Sequence, residues 1–171
     1  MKRAAFLILA CACGYEPLYA TPGGEAYHVH LATNHTASAV VAQEVVRGVR
    51  DALAKEGALA PGDGFPRIEV EVLRADETSE GVMQAQEIQG TEPRARATEL
   101  SIVARAFVAR REGGAAELDT GDVRAEDLAG APLDDPNREV WLREDALRAA
   151  ARRLGGRIAM RILGHPVVVS P

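Results

Sequence analysis

Imidazoles are the most versatile groups in this chain, and three of its four lie close together, at His28, His30 and His35. His28 and His30 are two residues apart, so on a strand both point to one face, and an imidazole pair of that kind is a start on a zinc site. They are equally the polar outward positions of a strand whose other face is Tyr27, Val29 and Leu31. Hydrolysis would need a third ligand and a general base, and no HExxH or comparable spacing is present. The chain has no GxSxG and no phosphate-cradling glycine loop, and no cysteine follows residue 13. Acids are plentiful but unpaired in pattern. No catalytic residue, metal ligand or cofactor site is therefore assigned. The arginines are more ordered. Arg153, Arg157 and Arg161 recur every fourth residue, with Arg148 and Arg152 beside them. Guanidinium forks in such a row suit phosphates and carboxylates, and equally they are cations well placed near a helix C-terminus. Arg94 and Arg96 make a second cationic spot.

Both cysteines, Cys11 and Cys13, fall in the first thirteen residues. Lys2 and Arg3 precede an apolar run, Ala4 to Ala10, and small residues follow. That order is a secretory leader, and its apolar run is far too short to cross a bilayer, which takes about 20 residues. A cleavage point ending in cysteine resembles a bacterial lipobox. In such signals the thiol is linked to diacylglycerol, the leader is cut before it, and the new N-terminus is acylated. Cys13, after Ala10-Cys11-Ala12, is the expected lipidated residue and Cys11 the alternative. Three acyl chains exceed the two-signal threshold for stable anchoring. The chain then divides into a leader (1–12), a lipidated tether (13–26) rich in Pro and Gly, and one domain (27–171). Gly14 stands where an aspartate would retain such a protein in the inner membrane. The expected location is therefore the outer membrane, on its periplasmic side.

Loss of Lys2 and Arg3 with the leader leaves 18 basic against 25 acidic residues. That balance argues against nucleic acid as a partner, since phosphate backbones want a basic domain. The charge is uneven: Glu112 to Asp135 holds eight acids and one base, whereas Arg138 to the end holds seven arginines and three acids. With aromatics at 4%, the core must be built from Val, Leu, Ile and Ala.

These residues need elements to position them. Tyr27 to Leu31 alternates as a half-buried strand. Ser38 is the expected N-cap of a helix to Lys55, with Ala42, Val45, Val46, Val49 and Leu53 in one stripe and Gly57 as its stop. Alternation returns from Phe65 to Leu73, with Ile68, Val70 and Val72 inward. Thr98 to Arg110 places Leu100, Ile102, Ala104, Ala106 and Val108 on one face, and Val103 and Phe107 suggest cover on the other. Asp76 to Ala97 is either a long loop or an extension of that hairpin. Ala116 to Arg124 is a weaker fourth strand. Asp135 as N-cap and Pro136 at the first helical position start a closing helix. Leu147, Ala150, Ala151, Leu154, Ile158 and Ile162 are its buried stripe, and Gly155-Gly156 either kinks it or lets a neighbour approach closely. Val167 to Val169 is an edge strand or a docking segment. The order β-α-β-β-β-α predicts an α+β two-layer sandwich: an antiparallel or mixed four-stranded sheet with both helices on one face. Val45, Val49, Leu53, Leu147, Leu154 and Ile158 should form the layer between.

Cys13-Gly14-Tyr15-Glu16-Pro17-Leu18-Tyr19 resembles the mature start of the LPS-assembly lipoproteins of the LptE type. The element order, the size and the closing helix rich in Ala and Arg are similar as well. The resemblance implies a non-catalytic outer-membrane subunit that plugs a large β-barrel (LptD-like), helps its assembly and assists delivery of lipopolysaccharide. In that family lipopolysaccharide binding is attributed to basic loop residues. The resemblance does not carry those positions onto this chain, and Arg94 and Arg96 are candidates on chemistry alone. The rival expectations are another outer-membrane lipoprotein, auxiliary to a transporter or to cell-wall synthesis, and an enzyme using the histidine face.

Overall fold

The computed structural model describes residues 24–82, 95–132 and 136–165. The elements run β1 (His28–Asn34), α1 (Ala39–Lys55), β2 (Arg67–Val82), β3 (Ala95–Ala109), β4 (Leu118–Asp119), β5 (Val123–Pro132) and α2 (Pro136–Ile162). β1 pairs parallel with β2, so β1-α1-β2 is a crossover unit. β2 and β3 form a long antiparallel hairpin, and β4 and β5 lie end to end along the far side of β3. Both helices cover one face, which makes the expected two-layer α+β sandwich with a mixed sheet.

The stripes read from periodicity are the core. Val45, Val49, Leu53, Leu154 and Ile158 are fully buried with Ile68, Val70, Val72, Ile102 and Ala104, while Leu147 is only partly covered at the rim. Ser38 caps α1, its hydroxyl accepting from the Val41 N–H at 3.3 Å. Gly57 stops the helix at φ 68°. Of the two readings of Gly155-Gly156, close approach is the one observed. A Cβ on Gly155 would sit 2.7 Å from the Val49 nitrogen and 2.9 Å from the Gly48 carbonyl carbon, whereas one on Gly156 would meet nothing within 4 Å. The helices cross backbone to backbone at Gly48 and Gly155.

The sheet carries five strands where four were counted. The single strand expected over Ala116–Arg124 is broken at Thr120-Gly121-Asp122, with Gly121 at φ 61°. β5 then continues through an acidic stretch that hydropathy reads as loop. Its charges are paired: Asp127 across the fold with Arg153 of α2, and Glu126 with Arg124 two residues away on β5 itself. The uncertain segment after Asp76 is hairpin extension at both flanks, since β2 runs to Val82 and β3 starts at Ala95. A bulge at Leu73 lies between the register pairs Val72↔Ala104 and Arg74↔Val103, and it moves Ala75 to the inner face opposite Ile102. The Asp135 cap and the Val167–Val169 tail lie outside the described residues.

Candidate interaction surface

Strand directions give the molecule two ends. The chain enters at one of them, where Glu25 accepts from both Arg110 and the Tyr27 hydroxyl. Arg110 also pairs with Glu117, so one guanidinium ties the incoming segment to the β3–β4 turn. The hydrogen bond from Arg110 holds the Glu25 carboxyl below its ordinary pKa; burial, then the Glu25 charge, raises the Tyr27 phenol. At the other end β2 finishes, β3 begins, β5 finishes and α2 starts, while α1 starts beside Glu77 partway along β2. β3 alone has 15 residues, which separates the ends by about 50 Å at ~3.4 Å per residue.

Toward the far end, exposed apolar side chains stand among charges such as Glu77 and Arg143, which pair with each other. Val40, Val140, Trp141 and Leu142 are exposed near the helix starts, with Trp141 at 71% and Leu128 on β5 at 64%. A cavity of about 280 Å³ opens there between Ser38, Val41, Glu77, Arg143, Leu147 and Arg148. Leu128 points instead to the sheet face opposite the helices and Leu118, also exposed, lies at the entry end, so the candidate contact surface is the helix side, Val40, Val140, Trp141 and Leu142. Periodicity had no means to find this patch, because it is assembled from the starts of two helices.

The sheet face opposite the helices has the reverse character. Ion pairs cover it: Arg67–Glu69 (3.2 Å), Arg74–Asp76 (3.3 Å), Arg124–Glu126 (2.6 Å) and Arg105–Asp119. Arg105 Nε donates to Asp119 at 2.8 Å, and that bond, with a second from the Gly121 N–H, lowers the Asp119 carboxyl to about 2. Beneath these charges Val103 is only 4% exposed and Ser101 is buried, so the expected cover on the second face of β3 is supplied by the sheet's own long side chains. Arg67 lies over the Phe65 ring at 4.5 Å.

The arginine row of α2 faces protein. Arg153 donates to the Glu126 carbonyl and pairs with Asp127, Arg157 donates to the Arg124 carbonyl at 2.8 Å, and Arg161 donates to the Thr120 carbonyl at 2.8 Å. Four helical residues rise ~6.0 Å and two strand residues ~6.8 Å, so Arg153 and Arg157 match carbonyls two apart on β5, whereas Arg161 reaches across the break to Thr120. Arg152 pairs with Glu44 of α1, whose carboxyl that hydrogen bond depresses, and Arg148 pairs with Glu144. The row is a clasp between helix and sheet edge.

Of the remaining sequence candidates, His28 makes a 2.9 Å bond between Nδ1 and the Gly62 carbonyl, and its ring fills the space beside Gly64. His30 and His35 are exposed. No group of three His, Cys, Asp or Glu side chains that could hold a metal ion occurs among the described residues. Arg96 lies on β3 opposite Val82 and Ala131, at the far end. Cys11, Cys13 and Arg94 are outside the described residues. No described helix is long and apolar enough to cross a membrane.

No family model matches the sequence, and no curated protein sequence matches it significantly. Solved structures share its fold. A minor lipoprotein of Acinetobacter baumannii superposes with a TM-score of 0.54 at 12% identity, over 82% of this chain and 94% of that one. A provisionally named lipoprotein of Caulobacter crescentus CB15 gives 0.49 at 14% identity over 81% and 88%. Rare lipoprotein B of Shewanella oneidensis gives 0.42 at 12% identity over 77% and 94%. The Acinetobacter match shows a common two-layer fold at an identity too low to carry function.

Proposed function

We propose that the protein is a non-catalytic outer-membrane lipoprotein, anchored through Cys13 on the periplasmic side, that plugs an LptD-like β-barrel and assists barrel assembly and lipopolysaccharide delivery. The observation that carries this reading is the charged, self-paired outer face of the sheet. A sheet face with no second layer over it is commonly polar and solvated; the paired charges of Arg67, Arg74, Arg105 and Arg124 with their acids suit a water-lined lumen of the kind large barrels possess. Arg94 and Arg96 are candidates for cationic contacts with the phosphates of the glycolipid on the chemistry of the guanidinium group.

A pull-down in mild detergent through a C-terminal tag should recover a large outer-membrane barrel, and depletion should lower barrel level and surface lipopolysaccharide together. Cys13→Ala should release the protein from membranes. Neutralising Arg94 and Arg96 should weaken glycolipid binding, with the difference shrinking as salt screens it. If depletion changes neither barrel nor surface glycolipid, the plug reading fails and an auxiliary role at another envelope system takes its place.

A further inference from the structure

The segment that enters the domain does not simply run out along the edge of the sheet. β1 is an edge strand and begins at His28, which pairs with Arg67 of β2; Arg67 in turn pairs with Ala109 of β3. These three residues stand in one row across the end of the sheet, and Tyr27 and Arg110 are the next residues outward on the first and third strands. Those strands lie about 10 Å apart, at ~4.8 Å per spacing. Side chains 85 residues apart in sequence close that gap. Arg110 donates through Nη1 and Nη2 to the two carboxylate oxygens of Glu25, the second at 3.1 Å. It donates through Nε and Nη2 to those of Glu117, the second at 3.2 Å. The Tyr27 hydroxyl completes the set, donating to Glu25 at 2.9 Å.

A single exposed ion pair would hold such a segment poorly, but forked donation from one guanidinium to two carboxylates makes a network. The Arg110 hydrogen bond keeps the Glu25 carboxyl below its ordinary pKa, so the acid is charged and engaged at neutral pH. The strand it is fastened to matters as well. β3 is bonded on both flanks, by β2 on one side and by β4 and β5 on the other. β1 is held by β2 and, at Tyr27 only, by the short bridge to Leu59.

We infer that Glu25, Tyr27, Arg110 and Glu117 form a strap that sets where the N-terminal tether leaves the domain, at the inner strand β3 and not along the edge strand β1. A pull from the anchor then passes through Arg110 to a strand bonded on both sides, instead of peeling β1 from β2 one residue at a time. This inference rests on the reading of Cys13 as the anchored residue and is independent of the barrel.

The test uses the full-length lipoprotein, purified from membranes and reconstituted in vesicles of phosphatidylethanolamine and phosphatidylglycerol. Spin labels are attached through Thr21→Cys in the tether and either Glu112→Cys in the β3–β4 turn or Asp63→Cys beside β1. With Cys13 acylated and Cys11 lost with the leader, no other thiol is present. Electron spin resonance should place Thr21 nearer to Glu112 than to Asp63. Arg110→Met should lengthen the Thr21–Glu112 distance by roughly 5–10 Å, up to the offset of two strands. Glu25→Ala, which leaves the Arg110–Glu117 pair in place, should do the same and serves if Arg110→Met melts early. A tether equally distant from both positions, or distances that neither variant changes, overturn the inference. A label found on Cys13 removes the anchor, and the inference with it, whatever the distances.

Discussion

Gly155 sits where α1 and α2 touch backbone to backbone, and replacing it by alanine sets two effects against each other. Alanine gains up to about 1 kcal/mol of helix propensity over glycine. Its Cβ, however, would meet Val49 N at 2.7 Å and Gly48 C at 2.9 Å, and would lie closer still to the Val45 carbonyl oxygen. These are backbone atoms, which cannot rotate away. The helices must part by roughly 0.5–1 Å, and a gap of that size forfeits about a quarter to a half of each dispersion contact it opens. Val45, Val49, Leu154 and Ile158, all fully buried, lie in that interface. Overpacking costs about 1–3 kcal/mol, here at the upper end, so Gly155→Ala should destabilise by about 2 kcal/mol net. Gly156→Ala meets nothing within 4 Å and should stabilise by up to about 1 kcal/mol. Guanidinium unfolding of the purified protein, followed by far-ultraviolet circular dichroism, reads both. A Gly155→Ala variant as stable as the parent, or adjacent substitutions of equal sign, would refute the close crossing.

Leu154→Ala empties a fully buried site and should cost about 2–5 kcal/mol in the same unfolding assay; a loss under half a unit would mean that α2 faces the sheet differently. The Asp119 carboxyl, lowered to about 2 chiefly by Arg105, should titrate by carbon-detected NMR well below the ordinary carboxylate range. Because its folded pKa is depressed, its contribution is complete above the unfolded value of about 3.9 and fades as pH falls toward 2, so a midpoint near 4 would contradict the pairing. Arg157→Met removes the donor to the Arg124 carbonyl; about 0.5–1 kcal/mol should be lost, with faster amide exchange along β5 and more self-association in sedimentation. Unchanged exchange there would show that the clasp contributes nothing to edge protection.

Much of the fold was legible because burial and periodicity agree. The stripes Ala42–Leu53 and Ala150–Ile162, and the alternation of Ile68 to Val72 and Leu100 to Val108, each name a buried face that any two-layer packing must use. Local chemistry fixed the start and stop of α1, since Ser38 and Gly57 act within a few residues of themselves. The apolar run before Cys11 and Cys13, which reads as a leader over 1–12, and the anionic balance are also features of the chain alone. β5 was not legible, because Asp127 in its acidic stretch looks like a loop residue until α2 brings Arg153 beside it. The arginine row shows the same limit: its spacing is in the sequence, but phosphate and carbonyl are equal partners for a guanidinium until α2 is laid antiparallel on β5. The choice at Gly155 between a kink and a close crossing required Val45 and Gly48 to be in place. The exposed apolar side chains near the helix starts, Val40 on one helix and Val140, Trp141 and Leu142 on the other, likewise come from parts remote in sequence. One-dimensional periodicity fixes which side of an element is buried; only the packed arrangement decides which charges meet and which apolar residues are left facing outward.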